Sequence, residues 1–222
     1  MCGRFTFVAN PEEVMEEYQL DEPFEFPVRY NIAPTQQVLA IVNDGDHNRA
    51  GLMNWGLVPS WSKDRSIGSK MINARLETAD QKPSYKRLMS RRRCLIVADS
   101  FYEWKKGEDG KKQPYRISLK DRHLFAFAGL WDRWSQGDDE LVTCTILTKD
   151  ANDFMSNLHH RMPVILPKSE EQNWLDFDVK DPTEMKEFLF EMPHEELTAY
   201  EVDQRVNNPK NDDESCVQSI VE

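Results

Sequence analysis

The sequence predicts an α+β fold, a single domain over residues 1–222 with a curved, barrel-like antiparallel β-sheet and peripheral helices. Strand-like runs dominate the middle of the chain, and glycine-containing turns separate several of them. The chain has neither an internal repeat nor a long Gly/Ser linker, and 222 residues suit one well-packed domain.

The predicted strands begin with residues 4–8, which alternate in polarity. Asn10 then reads as a helix N-cap and Pro11 as the first helical residue, so a helix is expected to about residue 19. Turns at residues 107–110 and 135–138 predict β-hairpins. The remaining strand-like runs are residues 38–42, 51–57, 94–98, 114–119, 123–130, 141–148 and 197–202.

Helices are predicted near residues 78–92 and 151–158, and after residues 169–172 and 181–184. The last two starts resemble capping boxes. We expect the acidic helices to cover one side of the domain, away from the basic residues.

The composition excludes several classes of protein. No apolar run approaches the roughly 20 residues that a membrane helix needs, and the first residues do not resemble a secretory signal, so a cytoplasmic protein is expected. The four cysteines form no CxxC pair, which argues against a zinc cluster or a disulfide framework. Cys94 and Cys144 lie in apolar runs and read as small buried hydrophobes.

The net charge of -11 is unevenly distributed. The segment from residue 168 onward contains five basic and 16 acidic residues, and 5 minus 16 gives the whole net charge of -11. Residues 61–93 carry ten basic residues against three acidic ones and are therefore +7. Such a segment can follow a phosphate backbone, although a solvated helix face would look similar.

Cys2 is a candidate nucleophile. Initiator methionine is generally removed when the second residue is small, so Cys2 is expected to begin the mature chain with an amine of pKa about 8 and a thiol of pKa about 8.5. An aldehyde can form an imine with the amine and then close a five-membered thiazolidine with the thiol. The alternative is an unreactive cysteine near a terminus.

Six further patterns identify a resemblance. In chain order they are Met1-Cys2-Gly3-Arg4-Phe5, Tyr30-Asn31-Ile32-Ala33-Pro34-Thr35, Trp55-Gly56-Leu57-Val58-Pro59-Ser60-Trp61, Asn73-Ala74-Arg75-Leu76-Glu77-Thr78, Phe101-Tyr102-Glu103-Trp104 and His159-His160-Arg161-Met162-Pro163. Together they closely resemble the SRAP family, the SOS-response-associated peptidase fold that crosslinks to abasic sites. The resemblance covers nearly the whole chain and favours a bacterial-type member.

The resemblance implies a set of catalytic residues. Cys2 would form the thiazolidine with the ring-opened deoxyribose, Asn73 would orient the sugar and Glu103 would act as general acid or base. His159 fits the family's His-x-Arg-x-Pro pattern and would assist ring opening, with Thr148 close by; the sequence leaves open whether His159 or His160 faces the site. Taken locally, Asn73 could equally be a turn residue and Glu103 a surface glutamate.

The resemblance also implies DNA contacts. Guanidinium groups suit phosphates, and aromatic rings can stack on or wedge between bases. The candidates are Arg4, Arg75 and Arg161 for phosphates, Trp55, Trp61 and Trp104 for bases, and Pro34 along the path of the strand. Because tryptophan is more often buried, Trp104, which adjoins Glu103, is the favoured aromatic candidate.

Three functions therefore compete. The first is an abasic-site sensor that binds single-stranded DNA, crosslinks to the lesion and shields it, with reversal and β-elimination lyase chemistry also implied. The second is an N-terminal-cysteine autopeptidase or amidohydrolase, and the third a non-covalent single-strand binder. We expect a monomer that associates with the nucleoid when DNA-bound, with no cofactor, no metal and no membrane partner; no HExxH-type ligand cluster is present.

Overall fold

Two β-sheets form the centre of the protein, and five strands of the larger one close into a barrel. The computed structural model describes residues 2–176 and 178–221. In the barrel, each strand hydrogen-bonds to the next in the closed order β3, β4, β10, β9, β6 and back to β3. These strands are β3 (Gln37–Asn43), β4 (Asn48–Trp55), β6 (Arg93–Ala98), β9 (Phe125–Gln136) and β10 (Asp139–Asp150). Three short strands extend the sheet: β5 (Asn73–Arg75), β11 (Arg161–Pro163) and β12 (Ile165–Leu166).

The smaller sheet is antiparallel throughout and packs against the barrel. Its order is β13, β8, β7, β1, β2, made of β1 (Phe5–Phe7), β2 (Arg29–Ile32), β7 (Ser100–Lys106), β8 (Lys112–Leu119) and β13 (Leu197–Glu201). The fully buried Phe5 ring meets Trp55 edge-on at 5.1 Å and Phe127 at 5.7 Å between ring centroids. These contacts join the two sheets and bring the start of the chain into the interior.

The α+β class and the barrel-like sheet are confirmed, and each predicted strand is present. The hairpin turns are present as well, with Gly110 and Gly137 in the left-handed backbone region that favours glycine. The barrel is nevertheless mixed, because β10 runs parallel to both β4 and β5.

The helices are α1 (Pro11–Tyr18), α2 (Leu76–Ala79), α3 (Pro83–Arg91), α4 (Asp153–Ser156), α5 (Lys168–Leu175) and α6 (Pro182–Glu191). The Asn10 cap is confirmed, since its side chain accepts from the Glu13 amide at 2.8 Å. The single helix predicted over residues 78–92 is wrong. Pro83 disfavours helical geometry in the residue before it, so the chain breaks there and a new helix begins at the proline.

The two predicted capping boxes have different outcomes. Asp181 caps α6 by accepting from the Thr183 and Glu184 amides. The one predicted at Ser169 is wrong, because α5 already begins at Lys168 after Pro167, with no side-chain cap.

The expected separation of acidic helices from basic residues is also wrong, because α6 packs directly on α2 and α3. Leu88 and Met89 of α3 and Met185 and Leu189 of α6 are buried there, and a Lys186–Asp80 ion pair of 2.7 Å joins α6 to the turn after α2. Burial of the apolar faces decides this packing, while most of the charges stay on the outer faces.

The C-terminal segment is tied to β2 by buried polar contacts. The Asn31 side chain donates to the carbonyl oxygens of Val206, Asn208 and Asn211, and Asp212 accepts from the Tyr30 and Asn31 amides. Within the described residues, no helix has the length and apolarity to cross a membrane.

Candidate functional site

Cys2 lies inside the protein beside Asn73. It has no exposed surface, and the Asn73 side-chain amide donates to the Cys2 main-chain carbonyl at 2.8 Å. Asn73 is held at the barrel edge because β5 pairs with β10, where Asn73 lies opposite Ile146. Among the described residues, the buried Oδ1 atom of Asn73 has no hydrogen-bond partner, so this side chain keeps one acceptor available.

The surroundings of the Cys2 thiol disfavour its charged form. Burial raises its pKa well above the ordinary value, and the negative charge of Glu103 acts in the same direction. Burial therefore shifts the Cys2 thiol away from the ordinary pKa of about 8.5, and a nearby base that takes up its proton would assist attack.

Glu103 is a buried carboxyl group next to Cys2. It lies on β7 opposite Tyr115 and is 2 % exposed. Burial raises its pKa, and the positive charge of His160 acts in the opposite direction. A carboxyl with a raised pKa can donate and accept protons closer to neutral pH, as general acid/base chemistry requires.

His159 and His160 both lie close to this group. Their rings stack with centroids 4.3 Å apart. His159 Nδ1 lies 3.0 Å from the Arg161 amide nitrogen and 3.1 Å from the Arg161 carbonyl oxygen, so it accepts from the amide or donates to the carbonyl according to the tautomer. Burial lowers the pKa of His159, and the positive charges of Lys112 and Arg161 act in the same direction. His159 is thus positioned by the main chain, while the charge of His160 acts on Glu103.

Arg161 is an internal anchor in this structure. It is 5 % exposed and donates to both carboxylate oxygens of Glu77, at 2.7 and 2.9 Å. The same guanidinium donates to Asp150 at 2.6 Å and to the Thr148 carbonyl at 2.7 Å. These contacts fix Thr148 and the backbone beside His159. The predicted phosphate contact of Arg161 stays a prediction.

Arg4 and Trp104 lie together at the mouth of the site. The Arg4 guanidinium is 6.0 Å from the Trp104 ring centroid and donates to Asn31 and to the Val206 carbonyl. The Trp104 indole donates to Asn207 at 2.6 Å. A groove of about 610 Å³ adjoins them, lined by Trp104, Lys111, Lys112, Gln204 and Asn207.

The other predicted DNA contacts occupy the surface. Arg75 is exposed at the end of β5, Pro34 is half-buried, and Trp61 is 62 % exposed. The loop that carries Trp61 is anchored by the Ser60 amide, which donates to Asp132 at 2.8 Å. Trp55 is fully buried against Phe5, so its ring cannot reach a base.

The structure brings Cys2, Asn73, Glu103 and the two histidines into one site, and Thr148 and Arg161 support it from behind. Sequence reasoning missed Lys112 and the groove residues on the 3₁₀ segment Gln204–Asn207. Lys111 and Lys112 directly follow the predicted 107–110 turn, and this basic pair could have indicated a site for an anionic ligand. Among the described residues, no group of three or more His, Cys, Asp and Glu side chains is arranged to hold a metal ion.

The fold and the site together define an SRAP protein. The family described as "SOS response associated peptidase (SRAP)" matches residues 1–209, and the chain belongs to this family. It is 46% identical over 215 residues to the "Abasic site processing protein YoaM" of Bacillus subtilis, with 95% of each chain covered. The chicken "Abasic site processing protein HMCES" is 34% identical over 81% of this chain and 61% of its own. A crystal structure of a protein from Bacteroides thetaiotaomicron has a TM-score of 0.81 at 27% identity, covering 98% of this chain and 99% of that one.

Proposed function

We propose that this protein processes abasic sites: it binds single-stranded DNA and joins Cys2 covalently to the lesion as a thiazolidine. The observation that carries the proposal is the site itself, in which Asn73 holds the buried Cys2 and Glu103 lies within electrostatic reach of the thiol. The curated relatives are named for abasic-site processing, which supports the same activity.

The reaction requires removal of Met1, so that Cys2 supplies both the amine and the thiol. The neutral amine attacks the aldehyde carbon of the ring-opened deoxyribose, and loss of one water gives an imine. The Cys2 sulfur then attacks the imine carbon, while its thiol proton is transferred to the nitrogen. A five-membered ring forms, and the balance is aldehyde plus aminothiol giving thiazolidine plus water. In this sequence the amine reacts first and the thiol closes the ring.

Each neighbouring residue has a role in this sequence. Asn73 fixes the Cys2 carbonyl through Nδ2, and its buried Oδ1 can accept from a sugar hydroxyl or the attacking amine. Glu103 receives the thiol proton and passes it on, which its raised pKa suits. His159 moves the proton that opens the sugar ring, with Nδ1 held by the Arg161 amide.

DNA reaches the site along the groove beside Trp104. Lys111 and Lys112 line this groove, and the exposed Arg75 and Trp61 supply a phosphate contact and a base contact from the barrel side. Bases stack on aromatic side chains without regard to sequence, which fits a protein that must recognise a missing base.

The decisive experiment incubates the processed protein with single-stranded DNA that contains one abasic site, followed by a denaturing gel and intact mass spectrometry. We expect an adduct whose mass is the sum of both molecules minus one water. Cys2→Ala keeps a terminal amine and loses the thiol, so its adduct should survive only after reduction of the imine with borohydride. Cys216→Ala, which removes another buried thiol, is the matched control and should crosslink normally.

A second variant tests processing. Protein that retains Met1 has no free amine on Cys2 and should give no stable adduct. An adduct of equal stability from that protein, or none from processed protein, would overturn the proposal. Cleavage of a peptide bond without any adduct would indicate an amidohydrolase instead.

A further inference from the structure

The ten basic residues of the segment 61–93 differ in their ion pairing from most of the basic residues elsewhere in the chain. None of them forms an ion pair within the described residues, whereas eleven basic residues elsewhere do. In a protein with 39 acidic residues, such a concentration of unpaired cations is not expected from composition. Unpaired surface cations attract a polyanion more strongly than cations already neutralised by carboxylates.

Several of these cations lie along α3, and a pocket lies at the C-terminal end of this helix. Lys82, Lys86, Arg87 and Arg91 are exposed on the outer face of this helix. At its end lies a pocket of about 320 Å³, lined by Asn43, Ser90, Arg91, Arg92, Arg93, Trp131 and Leu175. We refer to the exposed cations of α3 together with this pocket as the α3 surface.

The pocket combines fixed positive charge with an aromatic ring. The Arg92 guanidinium lies over the Trp131 ring, 4.2 Å from its centroid, so the two groups form a cation–π pair. The buried Arg93 donates to the main-chain carbonyls of Trp174, Met89 and Asp176, and the charge of Asp176 acts on it without a direct ion pair among the described residues. Arginine planes and aromatic rings are the groups that bind the bases and phosphates of single strands.

Strand register gives the distance from this pocket to the proposed site. Asn73 lies opposite Ile146, Ile146 opposite Gly129, and Gly129 opposite Cys94, which directly follows Arg93. Three strand spacings of about 4.8 Å give a path of roughly 14 Å along the curved sheet between Asn73 and the pocket backbone. At about 3.4 Å per stacked nucleotide, this is the span of roughly four nucleotides.

We propose that the α3 surface is a second DNA contact, which binds the single strand about four nucleotides from the lesion. The inference rests on the proposed function and adds to it the length of single strand that the protein contacts. A regularly spaced chain of phosphates matches the row of unpaired cations, and the Arg92 and Trp131 pair receives a base at its end.

The test compares two abasic oligonucleotides. One carries about two nucleotides on each side of the lesion and ends before the α3 surface, and the other carries about ten on each side. Arg91→Glu should weaken binding of the long strand roughly fivefold and lower its salt slope by about 0.7 for the lost phosphate. Binding of the short strand, and its crosslinking yield, should stay unchanged.

Lys120→Glu is the matched control, because it makes the same charge change at an exposed lysine that already pairs with Glu196. Equal weakening by Lys120→Glu, or equal weakening of the short and long strands by Arg91→Glu, would overturn the proposal. Arg92→Ala tests the pocket without charge reversal and should also affect only the long strand. If the wild-type protein fails to crosslink the short strand, the proposed function fails, while equilibrium binding of long undamaged strands still tests the α3 surface.

Discussion

Asn73 Nδ2 donates to the main-chain carbonyl of Cys2 at 2.8 Å, across 71 positions of sequence. This bond links the barrel edge to the residue that begins the mature chain. Intramolecular ring closure needs a fixed orientation of the reacting groups, which a flexible terminus would lose. The Asn73 amide donor fixes the orientation of Cys2. The Oδ1 atom of the same side chain is buried and accepts no hydrogen bond from the part of the chain that the structure describes.

Asn73→Ala should therefore slow crosslinking more than it weakens DNA binding. It leaves the buried Cys2 carbonyl without its donor, a loss of about 1–3 kcal/mol, which corresponds to roughly ten- to hundredfold in rate. Single-turnover crosslinking at saturating abasic DNA measures the rate, and binding of an undamaged strand measures the affinity. An unchanged rate with intact folding would contradict the assigned role of Asn73.

Variants of Arg161 and Arg75 should distinguish an arginine that stabilises the fold from one that binds DNA. Arg161→Lys cannot reproduce the bidentate contact with Glu77, so we expect a loss of about 2–4 kcal/mol in the free energy of unfolding. Arg75→Ala removes an exposed, unpaired cation and should leave stability within about 0.5 kcal/mol. Urea unfolding measures both.

The salt dependence of DNA binding completes this comparison. Arg75→Ala should lower the salt slope by about 0.7 for one phosphate contact on a single strand, and Arg161→Lys should not. A lower slope for Arg161→Lys would mean that this side chain leaves its internal ion pairs to bind phosphate.

The sequence predicts the local elements well and the pairing of distant ones poorly. Asn10 and Asp181 specify helix starts through contacts within three residues, so reading the sequence finds them. The parallel pairing of β10 with β5 joins residues about 70 positions apart, and β5 is only three residues long. Its stability comes from the neighbouring strand rather than from its own propensity.

The same difference applies to the site. Cys2, Asn73 and Glu103 were identified from motifs, and the structure brings them together. Motifs could not reveal that burial raises the pKa of the Cys2 thiol, because burial depends on the whole fold. Motifs also could not show that the Arg161 guanidinium points inward to Glu77, because an arginine in a polar motif can equally form an internal ion pair or bind a phosphate.

Substitution by alanine should reduce the stability of the protein at Gly68 and leave it nearly unchanged at Gly51. A Cβ atom on Gly68 would lie 2.7 Å from the Gly56 carbonyl oxygen, a backbone atom that cannot move aside. Gly68→Ala should cost about 1–3 kcal/mol of stability and displace the 3₁₀ segment Arg65–Lys70 behind the Trp61 loop. A Cβ atom on Gly51 meets nothing within 4 Å, so Gly51→Ala should change stability by no more than about 0.5 kcal/mol. Thermal unfolding of both variants measures the difference.

Glu103→Gln should stabilise the protein at alkaline pH while it slows crosslinking. Burial raises the folded-state pKa of Glu103 above its unfolded value, so the unfolded chain releases this proton at lower pH. The contribution of Glu103 to stability is therefore fully present below the unfolded pKa and is lost as the pH rises through the folded one. Glutamine does not titrate, so the variant avoids this loss.

Urea unfolding at several pH values measures this effect. The stability of Glu103→Gln relative to wild type should increase from pH 4 to pH 8, whereas its crosslinking rate should fall by about 10²–10⁴. Glu171→Gln is the matched control, since Glu171 is also buried with a raised pKa but pairs with Lys168, and it should crosslink at the wild-type rate. A relative stability that decreases from pH 4 to pH 8 would mean that the positive charges around Glu103 outweigh its burial.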